Sequence, residues 1–374
     1  MTLSLHRRAV LGAATTAAVL LAAGCGGSGD AVDEATDATG AAGDAATAAV
    51  DDATDAASDV ATDAAGDDAT AGGFPVTITH AFGETTIEEA PERVVTWGWG
   101  STDAAIALGT VPVAIPLASY GGNEDGVLPW VAEALEAQGA ETPTLIPDAD
   151  GIPFEQVAAA QPDLILAVYS GITEEEYATL SEIAPVVAYP DQAWSTPWRD
   201  VVTTVGEALG RPDEAAQVLA DIEAEVSAAA EANPVLEGTT VAAVYDTPDA
   251  FYVYEPADPR VEFLTDLGME VAPSVSELST GESTFFYTLS TELVGDLDSD
   301  VLLNYAESEE AAQAFLDQPY AASMEQVQQG SVAQVVGQDN VSSVSPPTAL
   351  SLTYSLDTFV TELVEAAEAA QSGR

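Results

Sequence analysis

The sequence predicts an α/β protein made of two halves joined by one long helix. Three observations carry that reading. From Phe74 onward, short apolar strand-like runs alternate with helical ones. Midway, a single helical run of about 21 residues beginning at Pro212 interrupts the alternation, which then restarts. The part beyond Phe74 holds about 300 residues, enough for two lobes.

Taken in chain order, the first element is a leader. Arg7 and Arg8 form a basic start, and Ala9 to Ala23 is an apolar stretch of 15 residues, too short to span a bilayer. It runs into Leu21-Ala22-Ala23-Gly24-Cys25, and Cys25 is the only cysteine of the chain. The pattern resembles a bacterial lipobox: residues 1–24 are a signal peptide and Cys25 is the acylated residue, held to the membrane by more than one lipid chain. The run His6 to Leu11 also resembles a twin-arginine signal, so the export route stays open between the two systems.

Residues 25–73 are expected to be a tether. Asp30 to Gly73 contains almost nothing but Ala, Asp, Thr and Gly, so it has too little apolar surface to offset its ordering entropy. As a coil its span is on the order of 33–40 Å, and longer with charge repulsion. That reach lets a folded domain visit a membrane partner.

The charge excludes whole classes of function. With the leader removed, 5 basic residues face 63 acidic ones, and lysine is absent altogether. Nucleic-acid binding needs clustered Lys and Arg, which the chain lacks. The acidity is read as an adaptation to saline surroundings, where salt screens self-repulsion. His6 and His80 are the only histidines, so a His-rich site for a bare transition metal is not available, and any iron must arrive inside an organic chelator. No nucleophile elbow, phosphate loop or Cys/His catalytic set is present, which argues against an enzyme.

The folded part opens with a hairpin, Val76–His80 and Thr85–Ile87 around Gly83, with His80 on its surface. Strands are expected at Arg93–Trp97, Val111–Leu117, Leu164–Val168 and Val186–Tyr189. Helices are expected at Thr102–Leu108, Leu128–Gln138, Phe154–Ala160 and Glu174–Ile183. This first lobe is 74–197, and its pattern suits a parallel sheet wrapped by helices. The connection 198–234 holds a helix Trp198–Leu209 and the long run after Pro212, whose Ala215, Val218, Leu219, Ile222 and Val226 fall at helical spacing. At 1.5 Å per residue the long helix is roughly 32 Å, a stiff strut across one domain. The second lobe, 235–374, is expected to carry strands at Val241–Tyr245, Val301–Tyr305 and Val332–Val336. Its helices are Pro259–Leu267, Leu289–Val294, Glu309–Leu316 and Leu350–Ala370.

Ligands collect beyond the carboxyl ends of strands in such sheets. Those ends offer Trp97, Trp99, Tyr120, Tyr169, Ser170 and Trp194 in the first lobe. The second contributes Tyr252 or Tyr254, Arg260 at a helix start, and Phe285-Phe286-Tyr287. Aromatic walls with few polar groups suit a bulky, mostly apolar ligand, and Arg260 can fork onto ligand oxygens or pair with Glu255 or Asp258.

Four stretches carry a family resemblance: Pro91–Trp97 with Thr102–Gly109, Phe154–Leu166, Leu180–Pro185, and Asp258-Pro259-Arg260 with Phe263-Leu264 and Leu267-Gly268. Together they resemble the helical-backbone binding proteins of iron-siderophore and cobalamin ABC importers. Tyr120-Gly-Gly with Val127–Val131 looks like the actinobacterial iron-siderophore branch. The resemblance implies two Rossmann-like lobes, a ligand cleft between them, little closure on binding, and a monomer that hands a ferric siderophore to a permease and its ATPase. It also implies docking on the permease through one carboxylate per lobe, at Glu155 and Glu292. Ile146–Asp150 stands where hydroxamate binders carry an arginine, and Val341–Val344 where some relatives have aromatics. Those departures leave the chelate class open, and in so negative a chain a neutral or cationic complex is accepted more readily than an anionic catecholate. Cobalamin or haem is the alternative ligand, and a structural surface protein the alternative class.

Overall fold

The computed structural model describes residues 73–149 and 151–373. The leader, Cys25 and the tether up to residue 72 lie outside the described residues. The opening hairpin is β1 (Val76–His80) and β2 (Gly83–Ile87), antiparallel with Val76 opposite Ile87. Its period-2 alternation buries Ile78, His80, Thr85 and Ile87 on one face. His80 is thus not a surface residue as expected from sequence. It is 4% exposed, its Nε2 lies 2.9 Å from Thr85 Oγ1, and its ring centroid is 5.1 Å from that of Tyr177. Burial pushes its pKa down, which keeps the ring neutral.

The first sheet is built from β3 (Val94–Thr96), β4 (Ala114–Pro116), β5 (Thr144–Ile146), β6 (Leu164–Ala167) and β7 (Val186–Ala188). Between them run α1 (Ser101–Ala107), α2 (Pro129–Ala137), α3 (Phe154–Ala159) and α4 (Glu174–Ser181). All pairs are parallel, in the order β5-β4-β3-β6-β7. Residues of β3, β6 and β7 are buried throughout, as expected where helices cover both faces. Thr173 starts α4 with a capping box: its hydroxyl accepts from the Glu176 amide while Glu176 accepts from the Thr173 amide. Strand β5, three residues long, was not anticipated from sequence.

Next come α5 (Trp198–Ala208) and α6 (Pro212–Ala232), the 21-residue helix the spacing predicts. They cross at a glycine. A Cβ on Gly206 would sit 2.4 Å from the Ala215 Cβ, so only hydrogen at this position permits the approach. Between them, Arg211 Nη1 donates to the Leu108 carbonyl (2.5 Å) just past the end of α1.

The second sheet departs from a purely parallel plan. It is formed by β8 (Thr240–Asp246), β9 (Phe251–Tyr254), β10 (Glu270–Val271), β11 (Phe286–Leu289), β12 (Val301–Ala306) and β13 (Val332–Val336). The main order is β11-β9-β8-β12-β13, with β10 also pairing β8. Strands β8, β12 and β13 are parallel, whereas β9 returns antiparallel along β8 and β11 along β9. The reason is loop length: residues 247–250 make a tight turn closed by Thr247 and Ala250, too short for a crossover. The helices are α7 (Pro259–Asp266), α8 (Pro273–Leu278), α9 (Glu309–Leu316), α10 (Glu325–Gln329), α11 (Gln338–Val344) and α12 (Ser351–Gly373). The expected helix Leu289–Val294 does not form. Leu289 ends β11, where the Phe-Tyr-Thr run favours a strand, and residues 294–296 make one 3₁₀ turn.

One buried apolar cluster links the halves. It includes Val94 and Leu164 of the first sheet, Val205 and Ala215 of the strut, and Val241 and Leu303 of the second sheet. Gly206→Val should therefore force α5 and α6 apart, lowering unfolding stability by about 1–3 kcal/mol. Thermal and urea unfolding of the variant beside the parent checks this.

Candidate ligand-binding cleft

In the first sheet the strand order reverses at β3, so chain leaves β3 and β6 in opposite directions and opens a crevice at their carboxyl ends. The loop after β3 is Gly98-Trp99-Gly100, and the loop after β6 is Tyr169-Ser170-Gly171. They are laced together: Trp99 N donates to Tyr169 O (2.9 Å), and a Cβ on Gly98 would lie 2.3 Å from that same oxygen. Gly98 is thus needed for the close approach, and its φ of 79° is one that side chains disfavour.

This crevice holds two exposed indoles. Trp99 is 48% and Trp194 is 40% exposed, with ring centroids 6.1 Å apart in a T-shaped contact. Trp194 also meets Tyr169 edge-on at 5.9 Å. Its backbone sits at φ 59°, a left-handed conformation that costs about 1–2 kcal/mol for a non-glycine residue. The turn is held by Trp194 N donating to Ser170 O (3.1 Å) and by the indole lying against Gly171. Backbone strain of this kind clusters at active sites and ligand clamps.

Beside the indoles lies a pocket of about 140 Å³. Trp99, Leu117, Tyr120, Trp130 and Val131 line it from the first half, and Ser342, Ser345, Pro346 and Thr348 from the second. A smaller slot next to it brings Tyr169 and Trp198 against Pro346 and Pro347. Tyr120 is half-buried and reaches Tyr245 at the end of β8, whose hydroxyl donates to Glu307 Oε1 (2.9 Å). Burial, and next the Glu307 charge, push the Tyr120 pKa up to about 12, so it stays a neutral hydrogen-bonding group.

The buried acid Asp103, in the first turn of α1, also lines the pocket. Trp130 Nε1 (2.6 Å) and the Thr348 hydroxyl (2.5 Å) both donate to its Oδ1, tying α1 and α2 to the segment before α12. Burial pushes its pKa up to about 6 despite those donors.

Arg260 lies in the first turn of α7. Its Nε and Nη2 fork onto Asp258 Oδ1 and Oδ2 (2.6 and 2.8 Å), and Nη1 donates to Ser345 Oγ (2.9 Å). The guanidinium stacks 3.9 Å over the Tyr254 ring, and its charge is felt at Tyr169. The ion pair with Asp258, one of the two pairings weighed from sequence, is the one present; it leaves Arg260 partly neutralised and rigid.

The remaining expected residues are elsewhere. Trp97 packs partly buried against the apolar cluster containing Val95 and Ile165. Tyr252, opposite Tyr245 in the sheet, makes an aromatic group with Phe286 (5.4 Å) and Phe285 (4.9 Å from Phe286) that is separate from the pocket lining. Glu155, in the first turn of α3, and Glu292, in the turn after β11, are both exposed. Sequence reasoning missed Asp103, Trp130, Thr348 and the serines of α11. Asp103 and Trp130 were visible in stretches read as helices, but nothing local marks which helical side chain faces a distant loop.

Residues 94–336 match the periplasmic binding protein family. The ferric enterobactin-binding periplasmic protein FepB of Escherichia coli is 26% identical over 273 residues, covering 69% of this chain and 83% of that protein. The probable siderophore-binding lipoprotein YfiY of Bacillus subtilis is 27% identical over 240 residues, covering 61% of this chain and 68% of that protein. Among solved structures, Streptococcus pneumoniae PiaA in complex with ferrichrome superposes with a TM-score of 0.73 at 35% identity. It covers 79% of this chain and 99% of that one.

Asp103 has a consequence for stability. Its carboxyl is raised from an ordinary 3.8 to about 6, so the folded chain holds the extra proton between those values. Stability from this group is therefore present below about pH 4 and declines as pH rises toward 6, by up to about 3 kcal/mol. Asp103→Asn, which keeps an acceptor for Trp130 and Thr348, should flatten the dependence of melting temperature on pH between 4 and 7 in calorimetry at constant salt.

Proposed function

This chain belongs to the periplasmic binding protein family, and on that premise we propose that it captures a ferric siderophore outside the cytoplasmic membrane and delivers it to an ABC importer. The observation that carries the reading is the pair of exposed indoles, Trp99 and Trp194, set over a pocket lined from both halves of the chain. A ferric hydroxamate presents an apolar outer surface with few polar groups, and stacked aromatics with a few fixed hydrogen-bonding groups match it. Tyr120 and Tyr169 extend the same wall.

The chelate chemistry follows from the charge. Among the residues lining the pocket none is basic, two are acidic, and the nearby Arg260 is already paired. A neutral or cationic hydroxamate complex meets no repulsion there, whereas a highly anionic catecholate does. Ferrichrome, the ligand of PiaA, is of the neutral kind. Cys25 is proposed as the lipid anchor, residues 25–73 as the leash, and Glu155 and Glu292 as the carboxylates that meet the permease. Both glutamates are exposed at the ends of short elements, which suits a docking role. Binding and release, with no bond made or broken, account for the residues assigned to the cleft.

Titration of intrinsic tryptophan fluorescence with ferrichrome should give saturable quenching at sub-micromolar concentration, because ferric chelates quench indoles in contact with them. Trp99→Ala should weaken binding about tenfold or more, near 1.4 kcal/mol. Absence of quenching by ferrichrome, ferrioxamine and a ferric catecholate together, with a response to cobalamin or haemin, would transfer the protein to the alternative ligands. Separately, Glu155→Lys with Glu292→Lys should abolish iron uptake in cells while the ligand titration matches the parent protein.

A further inference from the structure

A pocket of about 140 Å³ holds one small group, not a whole chelate. A cavity of roughly 150 Å³ accommodates benzene, six non-hydrogen atoms. An iron centre wrapped by three bidentate groups is several times larger. Under the reading proposed above, the iron core rests outside against the exposed indoles, and the pocket receives a single substituent of the chelate.

The pocket is apolar over most of its wall, with Leu117, Val127, Leu128 and Val131 among its residues. Its charged groups are Asp103 and Asp148, with no arginine or histidine in the lining and no lysine anywhere in the chain. Asp148 accepts from Ser119 Oγ (3.3 Å). Asp103 is 1% exposed and receives both Trp130 Nε1 and the Thr348 hydroxyl on one oxygen, Oδ1. Those two donors need only an acceptor, and the amide oxygen of an asparagine would serve them equally. Joining the two halves therefore does not require a charge at this position. A buried carboxylate without a cation is costly, and among the described residues no basic side chain pairs with this one.

We infer that this pocket, with Asp103 at its wall, is a subsite for a short alkyl arm ending in a protonated primary amine, carried by the ferric chelate. An unbranched arm of about five carbons and one nitrogen has the six non-hydrogen atoms that such a volume admits. Its methylenes pass the Leu117 and Val131 side of the pocket, and the ammonium supplies the cation that Asp103 lacks. The inference rests on the proposed function and narrows it: among hydroxamate complexes, those bearing a free amine arm are preferred over their neutral counterparts.

Ferrioxamine B ends in such an arm, and its N-acetylated form keeps the same iron core without the charge. The whole chain is titrated with both, and with ferrichrome, by tryptophan quenching at pH 7.5 and fixed ionic strength. Acetylation should weaken binding tenfold or more. Asp103→Asn should weaken ferrioxamine B by a similar factor and bring the two ferrioxamines to the same affinity, and Asp148→Asn should reduce the gap by less. Equal affinity of the parent protein for the two ferrioxamines overturns the inference without the need for any variant. So does an equal loss for both in Asp103→Asn. Binding of ferrichrome with neither ferrioxamine bound overturns the subsite and leaves the proposed function standing. Failure of all three chelates removes the proposed function and the subsite together.

Discussion

Val94 and Leu164 on one sheet and Val241 and Leu303 on the other belong to the same buried apolar cluster, bridged by Val205 and Ala215 where α5 crosses α6. Everything in the cleft depends on that continuity. Two sheets on separate cores would be free to hinge, because interfaces between domains are small and polar. Here the strut is packed into both, and the contact at Gly206 leaves no space between its helices. That packing sets the spacing at which Trp99, Trp194 and Tyr169 come together beside the segment around Pro346.

Polar contacts reinforce the same junction. Arg199 sits at the start of α5, 4.4 Å over the Trp198 ring, and reaches Glu223 on α6 and Glu262 and Asp266 on α7 at 2.8, 3.5 and 3.0 Å. One guanidinium gathers three carboxylates from two elements, in a chain with almost no other cations. Arg93 donates to the carbonyls of Ala160 and Gln161 after α3, and Arg211 to that of Leu108 after α1. Each of these arginines is spent on structure, and Arg260 is held by Asp258. The pocket lining consequently holds two carboxylates, Asp103 and Asp148, and no basic group.

The aromatic residues of the cleft divide by which loop carries them. Trp99 and Tyr169 leave neighbouring strands at the point where strand order reverses, so both point into the crevice. Trp97, two residues earlier than Trp99, follows the strand alternation onto the core instead. Tyr252 and Phe286 meet diagonally across the antiparallel pair β9–β11 at the edge of the second sheet, with ring centroids 5.4 Å apart. An aromatic at a strand end is thus a candidate, and topology decides whether it faces the crevice.

The sequence by itself determined the α/β class, the parallel first sheet and the long strut from Pro212. Those depend on composition and on periodicity within one element, which are local. It also pointed to Trp99, Tyr120, Tyr169 and Trp194, which the fold gathers around the crevice, since strand ends can be located from spacing. The tertiary structure alone decided the burial of His80, the antiparallel return of β9 and β11, and the meeting of Asp103 with Trp130 and Thr348. That last contact joins residues 245 positions apart in the chain. Such contacts arise from how helices and loops pack against one another, and no residue's neighbours in sequence encode which distant partner its side chain will meet.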